Sequence, residues 1–215
     1  MSNWNTDTSW NENESLINVK KDTMDSGLEL FEDEKYKRYI EKTYQTIENV
    51  KEIGLPKENE QIRLVTFKSF NSAVFLKFIT DTHTIENLIL VVYSINAEAA
   101  KLINDLIEQR KILKCKILMS NLRNKAHRKK EQITRDMFVE NPNVDLFFAS
   151  SHSKIMAMKT SCNNHFVLEG SGNLSFNSRV EQYILDNDKK LFEFTDNWTE
   201  KIKEYLKGKK ELVLT

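Results

Sequence analysis

The sequence predicts an α/β fold: a mixed β-sheet flanked by helices. Three observations carry that prediction. Strand-like and helix-like segments alternate through the first part of the chain after residue 60. Two nearly continuous apolar runs, NLILVVYS at 87–94 and CKILMS at 115–120, lack the alternation of a half-solvated strand and fit buried strands, the first of them parallel. A cluster of short, closely spaced strand-like runs follows from residue 144, which makes the sheet mixed.

Each element follows from local pattern. Residues 1–28 are rich in Asn, Ser, Thr and Asp without periodicity and read as a flexible N-terminal tail. Residues 29–58 read as an N-terminal helical segment. The acidic residues of 29–34 suit a helix N-terminus. Tyr36, Ile40, Tyr44 and Ile47 would share one face of a helix over Lys35–Glu52, which Gly54 and Pro56 stop. The main domain is then 59–215. Within it, Gln61–Phe67 is a predicted strand and Asn71–Ile79 a short apolar helix. Asn96 is placed to cap a helix that buries Ala100, Ile103 and Ile107. Strand 87–94, this helix and strand 115–120 make a βαβ unit. The stretch NLRNKAHRKKEQITR comes next, with a helix starting near its end. Val144–Ala149, Ser153–Met158, Phe166–Glu169 and Gln182–Leu185 are predicted strands, and Leu191–Leu206 a closing helix.

Composition narrows the function classes. With 40% hydrophobic and 30% charged residues in a chain of 215, the protein is of ordinary globular type. No apolar run approaches the roughly 20 residues a bilayer-spanning helix needs. The start, MSNWNTDTSWNENES, lacks the basic and apolar regions of a signal peptide, so a cytoplasmic location is expected. Cys115 and Cys162 lack metal-ligand spacing and read as buried or incidental thiols. Charge is divided unevenly. Residues 1–100 hold 11 Lys and Arg against 17 Asp and Glu, net −6; residues 101–215 hold 21 against 15, net +6. The positive part suits a phosphate-bearing ligand.

That part also holds a constellation with chemical content. His152 and Lys154 are two apart, so on a strand they share a face. An ammonium beside an imidazole suits a phosphodiester: Lys neutralises non-bridging oxygens while His attacks phosphorus. Downstream lies Gly170-Ser171-Gly172-Asn173, which takes two of the chain's five glycines. Glycines at a strand end allow a tight turn and close backbone approach to a ligand, and Ser171 and Asn173 offer neutral donors to phosphate oxygens. Glu181 is available as a carboxylate to hold one imidazole nitrogen. His165 reads as a loop residue near the site, and Glu169 as a partner for a neighbouring lysine.

His-x-Lys followed by Gly-Ser-x-Asn resembles one half-site of the phospholipase D superfamily, over roughly residues 60–205. The resemblance implies the half-domain fold of that superfamily and the activity of a metal-independent phosphodiesterase without a cofactor. In it His152 forms a phosphohistidine, Lys154, Ser171 and Asn173 hold phosphate, and Glu181 orients the histidine. The chain holds one copy of the motif, whereas the chemistry needs two histidines. The small bacterial nucleases of the superfamily build their site across a homodimer, and the same is expected here. The superfamily motif has an Asp five residues after its Lys; this chain has Lys159 there, as some tyrosyl-DNA phosphodiesterases also lack the Asp.

DNA or RNA is the expected substrate. Arg123, Lys125, His127, Arg128, Lys129, Lys130 and Arg135 form the densest basic stretch and could follow a nucleic-acid backbone; a solvated loop and helix face explains them equally well. No basic amphipathic helix with Trp or Phe suggests a membrane partner. The alternative is a weak or inactive phospholipase D-like module that binds nucleic acid or assembles into a larger complex. Trp4 and Trp10 make the tail a candidate docking segment for a protein partner.

Overall fold

The computed structural model describes residues 36–42, 51–66, 71–121, 125–174 and 180–213, and the side chains of all of these except 36–42, 125–130 and 209–213. The tail, with Trp4 and Trp10, lies outside the described residues. Eight strands form one mixed sheet: β1 (Tyr36–Lys42), β2 (Glu60–Thr66), β3 (Ile85–Val92), β4 (Ile112–Ser120), β5 (Val144–Ala149), β6 (Ile155–Thr160), β7 (His165–Gly170) and β8 (Glu181–Asn187). Their order across the sheet is β1-β2-β8-β7-β6-β3-β4-β5. The pairs β1–β2, β3–β4 and β4–β5 are parallel; the four pairs between β2 and β3 in that order are antiparallel.

Helices cover both faces, which explains the apolar runs. Leu88, Leu90 and Val92 of β3 face a core shared with Phe75, Leu76 and Ile79 of α1 (Ala73–Thr82), Ile103 of α2 (Ala97–Glu108) and Phe138 of α3 (Lys125–Phe138). The alternate residues Ile89 and Val91 face the other side, against Phe192, Trp198 and Ile202 of α4 (Lys189–Val213). A strand buried on both faces needs no polar alternation. Lys116 of β4 also reaches α4, at 2.6 Å from Asp196 and 2.5 Å from Glu200.

Two expectations are corrected. Of the helix expected over Lys35–Glu52, residues 36–42 instead form strand β1, while residues 51–53 are helical; residues 29–35 and 43–50 lie outside the described set. Tyr36 and Ile40 are four apart, a spacing that gives a common face in a helix and in a strand alike. β1 lies parallel to β2 from Tyr36–Glu60 to Lys42–Thr66, and ladder pairing decides what a short ambiguous pattern could not. The helix in the basic stretch starts at Lys125, earlier than expected. Lys, Ala, Arg, Glu and Gln are good helix formers, and toward its C-terminal end the helix buries Thr134 and Phe138 and packs Met137 on the core.

Asn96 performs its expected role. Its side-chain oxygen accepts from Ala99 N at 2.8 Å, capping α2, and its own N–H donates to Leu174 O at 3.0 Å. Replacing it with Ala removes the cap and should lower stability by about 0.5–2 kcal/mol, measured as a shifted urea midpoint at constant m-value.

Candidate active site

The antiparallel block determines which residues can meet. β6 and β8 start at the sheet edge where β3 and β7 end: Val91 is opposite Ile155, Ile155 opposite Glu169, and Gly170 opposite Tyr183. Residues before β6, after β7, at the start of β8 and after β3 therefore gather at one edge. These are His152 and Lys154, Gly170–Asn173, Glu181 and Tyr93.

His152 and Lys154 lie in the segment just before β6, not on the strand expected from Ser153. They still meet. Lys154 Nζ lies 3.4 Å from His152 Nδ1 and donates to the His152 carbonyl at 2.9 Å. His152 is exposed and Lys154 half-buried. Burial pulls the Lys154 ammonium below the ordinary lysine value, and the Glu181 charge partly opposes that shift. An ammonium offers only donors, so a neutral imidazole facing it through Nδ1 carries its proton on Nε2.

The glycines have a more specific reason than expected. At Gly170 a Cβ would lie 2.5 Å from Tyr183 Cδ1 and 2.6 Å from Gln182 O; at Gly172 it would fall on the Tyr183 hydroxyl, with Cζ at 2.8 Å. The close approach is to the Tyr183 ring beneath the turn. That ring is 1% exposed, and burial raises its phenol well above the ordinary tyrosine value. Above it, Ser171 donates through Oγ to the Glu181 carboxylate and accepts from Gln182 N at 3.1 Å. Glu181 is buried, and its carbonyl accepts from Thr66 Oγ1 at 3.3 Å. Asn173 Oδ1 is buried and has no hydrogen-bond partner among the described residues. A cavity of about 20 Å³, enough for about one water, lies between Lys154, Ser72, Gly170, Gly172 and Tyr183.

His152, Lys154, Ser171, Asn173 and Glu181 thus share one edge. Other candidates do not join them. His165 opens β7 at the opposite end of that strand, 4% exposed, with its N–H bonded to Asn187 Oδ1 at 2.9 Å; it is a core residue, not a loop residue near the site. Lys159, in the position of the superfamily Asp, also sits at that end and pairs with Glu86 at 3.0 Å. Arg135 lies 3.7 Å over the Phe148 ring and pairs with Glu131 at 2.8 Å, so the fold engages its charge. Lys125, His127, Arg128, Lys129 and Lys130 fall in the first turns of α3; their side chains, and all of Arg123 and Arg179, lie outside what is described.

Sequence reasoning missed Tyr93. Its ring centroid is 5.0 Å from that of His152, and Lys154 Nζ is 5.8 Å from the same centroid. The available signal was an aromatic residue directly after the buried strand β3, where α/β sheets place ligand-facing groups.

No family model matches the chain, and no curated protein matches it in sequence. Solved structures do resemble it. A phospholipase D family member, Nuc, from Salmonella typhimurium is 17% identical, with a TM-score of 0.45, 66% of this chain covered and 93% of that one. Yeast tyrosyl-DNA phosphodiesterase is 15% identical, with a TM-score of 0.35, covering 51% of this chain and 27% of that one. Polyphosphate kinase from Porphyromonas gingivalis is 10% identical, with a TM-score of 0.45, covering 63% and 24%.

Gly172→Ala tests the seat of the turn. The added methyl cannot fit without moving Tyr183, so stability should fall by roughly 1–3 kcal/mol. Tyr183→Phe in the same chain removes the nearest atom, and the double variant should lose less than the two single losses summed. Additive losses in a double-mutant cycle would separate the turn from the ring.

Proposed function

We propose that this protein is a phosphodiesterase that cleaves nucleic acid through a phosphohistidine, with two copies of the chain completing one site. The observation that carries this reading is the convergence of His152, Lys154, Ser171, Asn173 and Glu181 on one edge of the sheet. Lys154 supplies positive charge for the non-bridging oxygens, and the Ser171 and Asn173 side chains supply neutral polar groups. Glu181 supplies an acceptor for an imidazole N–H.

The steps balance with histidine alone. An unprotonated Nε2 of His152 attacks phosphorus, the P–O bond to the leaving group breaks, and a second imidazolium gives its proton to the departing oxygen. That second imidazole then takes a proton from water, whose oxygen displaces His152 as the P–N bond breaks. With Lys154 on Nδ1, His152 is set to donate from Nε2; to attack it must carry its proton on Nδ1, against an acceptor such as Glu181. One ring cannot serve in both forms at once. His152 of a second copy supplies the other, and a two-fold axis at this edge brings like residues together. Exposure of His152 at a shallow edge suits a half-site of this kind.

Nucleic acid is the preferred substrate because α3 opens with Lys125–Lys130 just after the site-side end of β4. An inactive module is favoured by Lys159 in place of the motif Asp and by the acidic tail; against it, Lys159 is paired with Glu86 at the far end of β6, away from His152 and Lys154.

Purified protein should cleave DNA, RNA or a bis-aryl phosphodiester in EDTA and yield an acid-labile phosphoenzyme on quenching. His152→Ala should lose on the order of 10²–10⁴-fold in kcat. Lack of turnover on all three substrates, or a strictly monomeric native mass in an active preparation, overturns the reading.

The pH dependence has a defined sign. Lys154 binds phosphate only when protonated, and its folded value lies below the ordinary one. KM should therefore rise on the alkaline side at a lower pH than an exposed lysine would give. In Lys154→Arg, whose charge persists, that rise should vanish, as steady-state profiles would report.

A further inference from the structure

We infer that Tyr93 is a positioning residue that holds the His152 imidazole and the Lys154 ammonium against one aromatic ring. The proposal rests on the reading of His152 and Lys154 as reacting groups. Val91 is the last β3 residue opposite β6, and Tyr93 follows the strand end, so the ladder delivers its ring to the segment carrying both side chains. The ring centroids of Tyr93 and His152 are 5.0 Å apart with planes at 61°, an edge-on arrangement within the range of favourable aromatic pairs. Lys154 Nζ lies 5.8 Å from the same centroid, inside the distance at which a cation is attracted to an aromatic ring.

Three features make this more than incidental packing. His152 is exposed, and an exposed side chain samples several rotamers unless something restrains it. The attraction of Lys154 to His152 is weakly directional: the contact to Nδ1 is 3.4 Å, and the shorter bond, 2.9 Å, goes to the His152 carbonyl. Among the described residues, the Tyr93 ring contacts the imidazole and the ammonium together. Its negative face also favours cations, which are the working states of Lys154 and of a proton-donating His152. A second copy would repeat the arrangement, so each histidine in the shared site would have its own support.

The test compares wild type with Tyr93→Phe and Tyr93→Leu. Turnover of a bis-aryl phosphodiester in EDTA is measured with the imidazole signals of protein labelled in its four histidines. His152→Ala assigns the His152 signal. Tyr93→Leu should lower kcat at least tenfold with KM within about twofold of wild type, and should shift and broaden the His152 signal while His165 stays in place. Tyr93→Phe keeps the ring and should restore both readouts. An unchanged His152 signal in Tyr93→Leu overturns the proposal, as does a loss equally large in Tyr93→Phe. If wild type proves inactive, the phosphodiesterase reading falls on that result, and the imidazole signals still decide whether Tyr93 holds His152.

Discussion

The site depends on one packing constraint, the Tyr183 ring seated beneath the turn that follows β7. Gly170 and Gly172 are required because their Cβ positions are occupied by that ring and by the Gln182 carbonyl. With the turn pressed onto Tyr183, Ser171 N–H reaches Gln182 O at 3.0 Å and Gly170 N–H reaches Lys154 O at 3.3 Å. Those two bonds tie the turn to the segments bearing Glu181 and Lys154. Ser171 is thereby held in the turn next to Lys154 by backbone contacts.

Electrostatics follows from the same seating. Lys154 is half-buried against the apolar wall of Met156, Leu168 and Tyr183, which disfavours its charge, while Glu181 across the turn favours it. The nearby carboxylate is itself buried and held by the Ser171 hydroxyl. A cation and an anion kept close, both only partly solvated, interact more strongly than the same pair in water.

Much of this was legible in the sequence, for reasons specific to each element. The β3 and β4 runs announced burial on both faces because nothing polar interrupts them. Asn96 announced a helix start because its side chain competes for the N–H groups a helix leaves open. His152, Lys154, Ser171, Asn173 and Glu181 were singled out by the resemblance of His-x-Lys and Gly-Ser-x-Asn to a known motif, and the antiparallel register brings them to one edge of the sheet. β1 was not, since an even spacing of four serves a helix and a strand alike. His165 was misread because a histidine beside Asn163 and Asn164 resembles a loop, while its burial depends on Phe192, whose ring lies 5.4 Å away and belongs to a distant helix. Tyr93 was hidden for the opposite reason: it ends an apolar run and looks like one more core residue. The Ser171–Glu181 bond needs the β7–β8 register, which no local pattern encodes.

Lys159, where the motif that the sequence resembles carries an Asp, acquires a physical meaning through that register. Lys159 stands opposite Asn87 and His165, at the end of β6 remote from Lys154. Five residues of extended strand separate the two lysines by about 16 Å, beyond the roughly 8–10 Å over which exposed charges act strongly at ordinary salt. Lys159 is neutralised locally by Glu86, with side chains 35% and 38% exposed, a pair that contributes about 0–1 kcal/mol. A carboxylate in that position would face Glu86 and repel it; the lysine attracts it. The exchange is therefore accommodated where it occurs, in the pairing of β6 with β3, and the edge that carries His152 and Lys154 is left with its own charges.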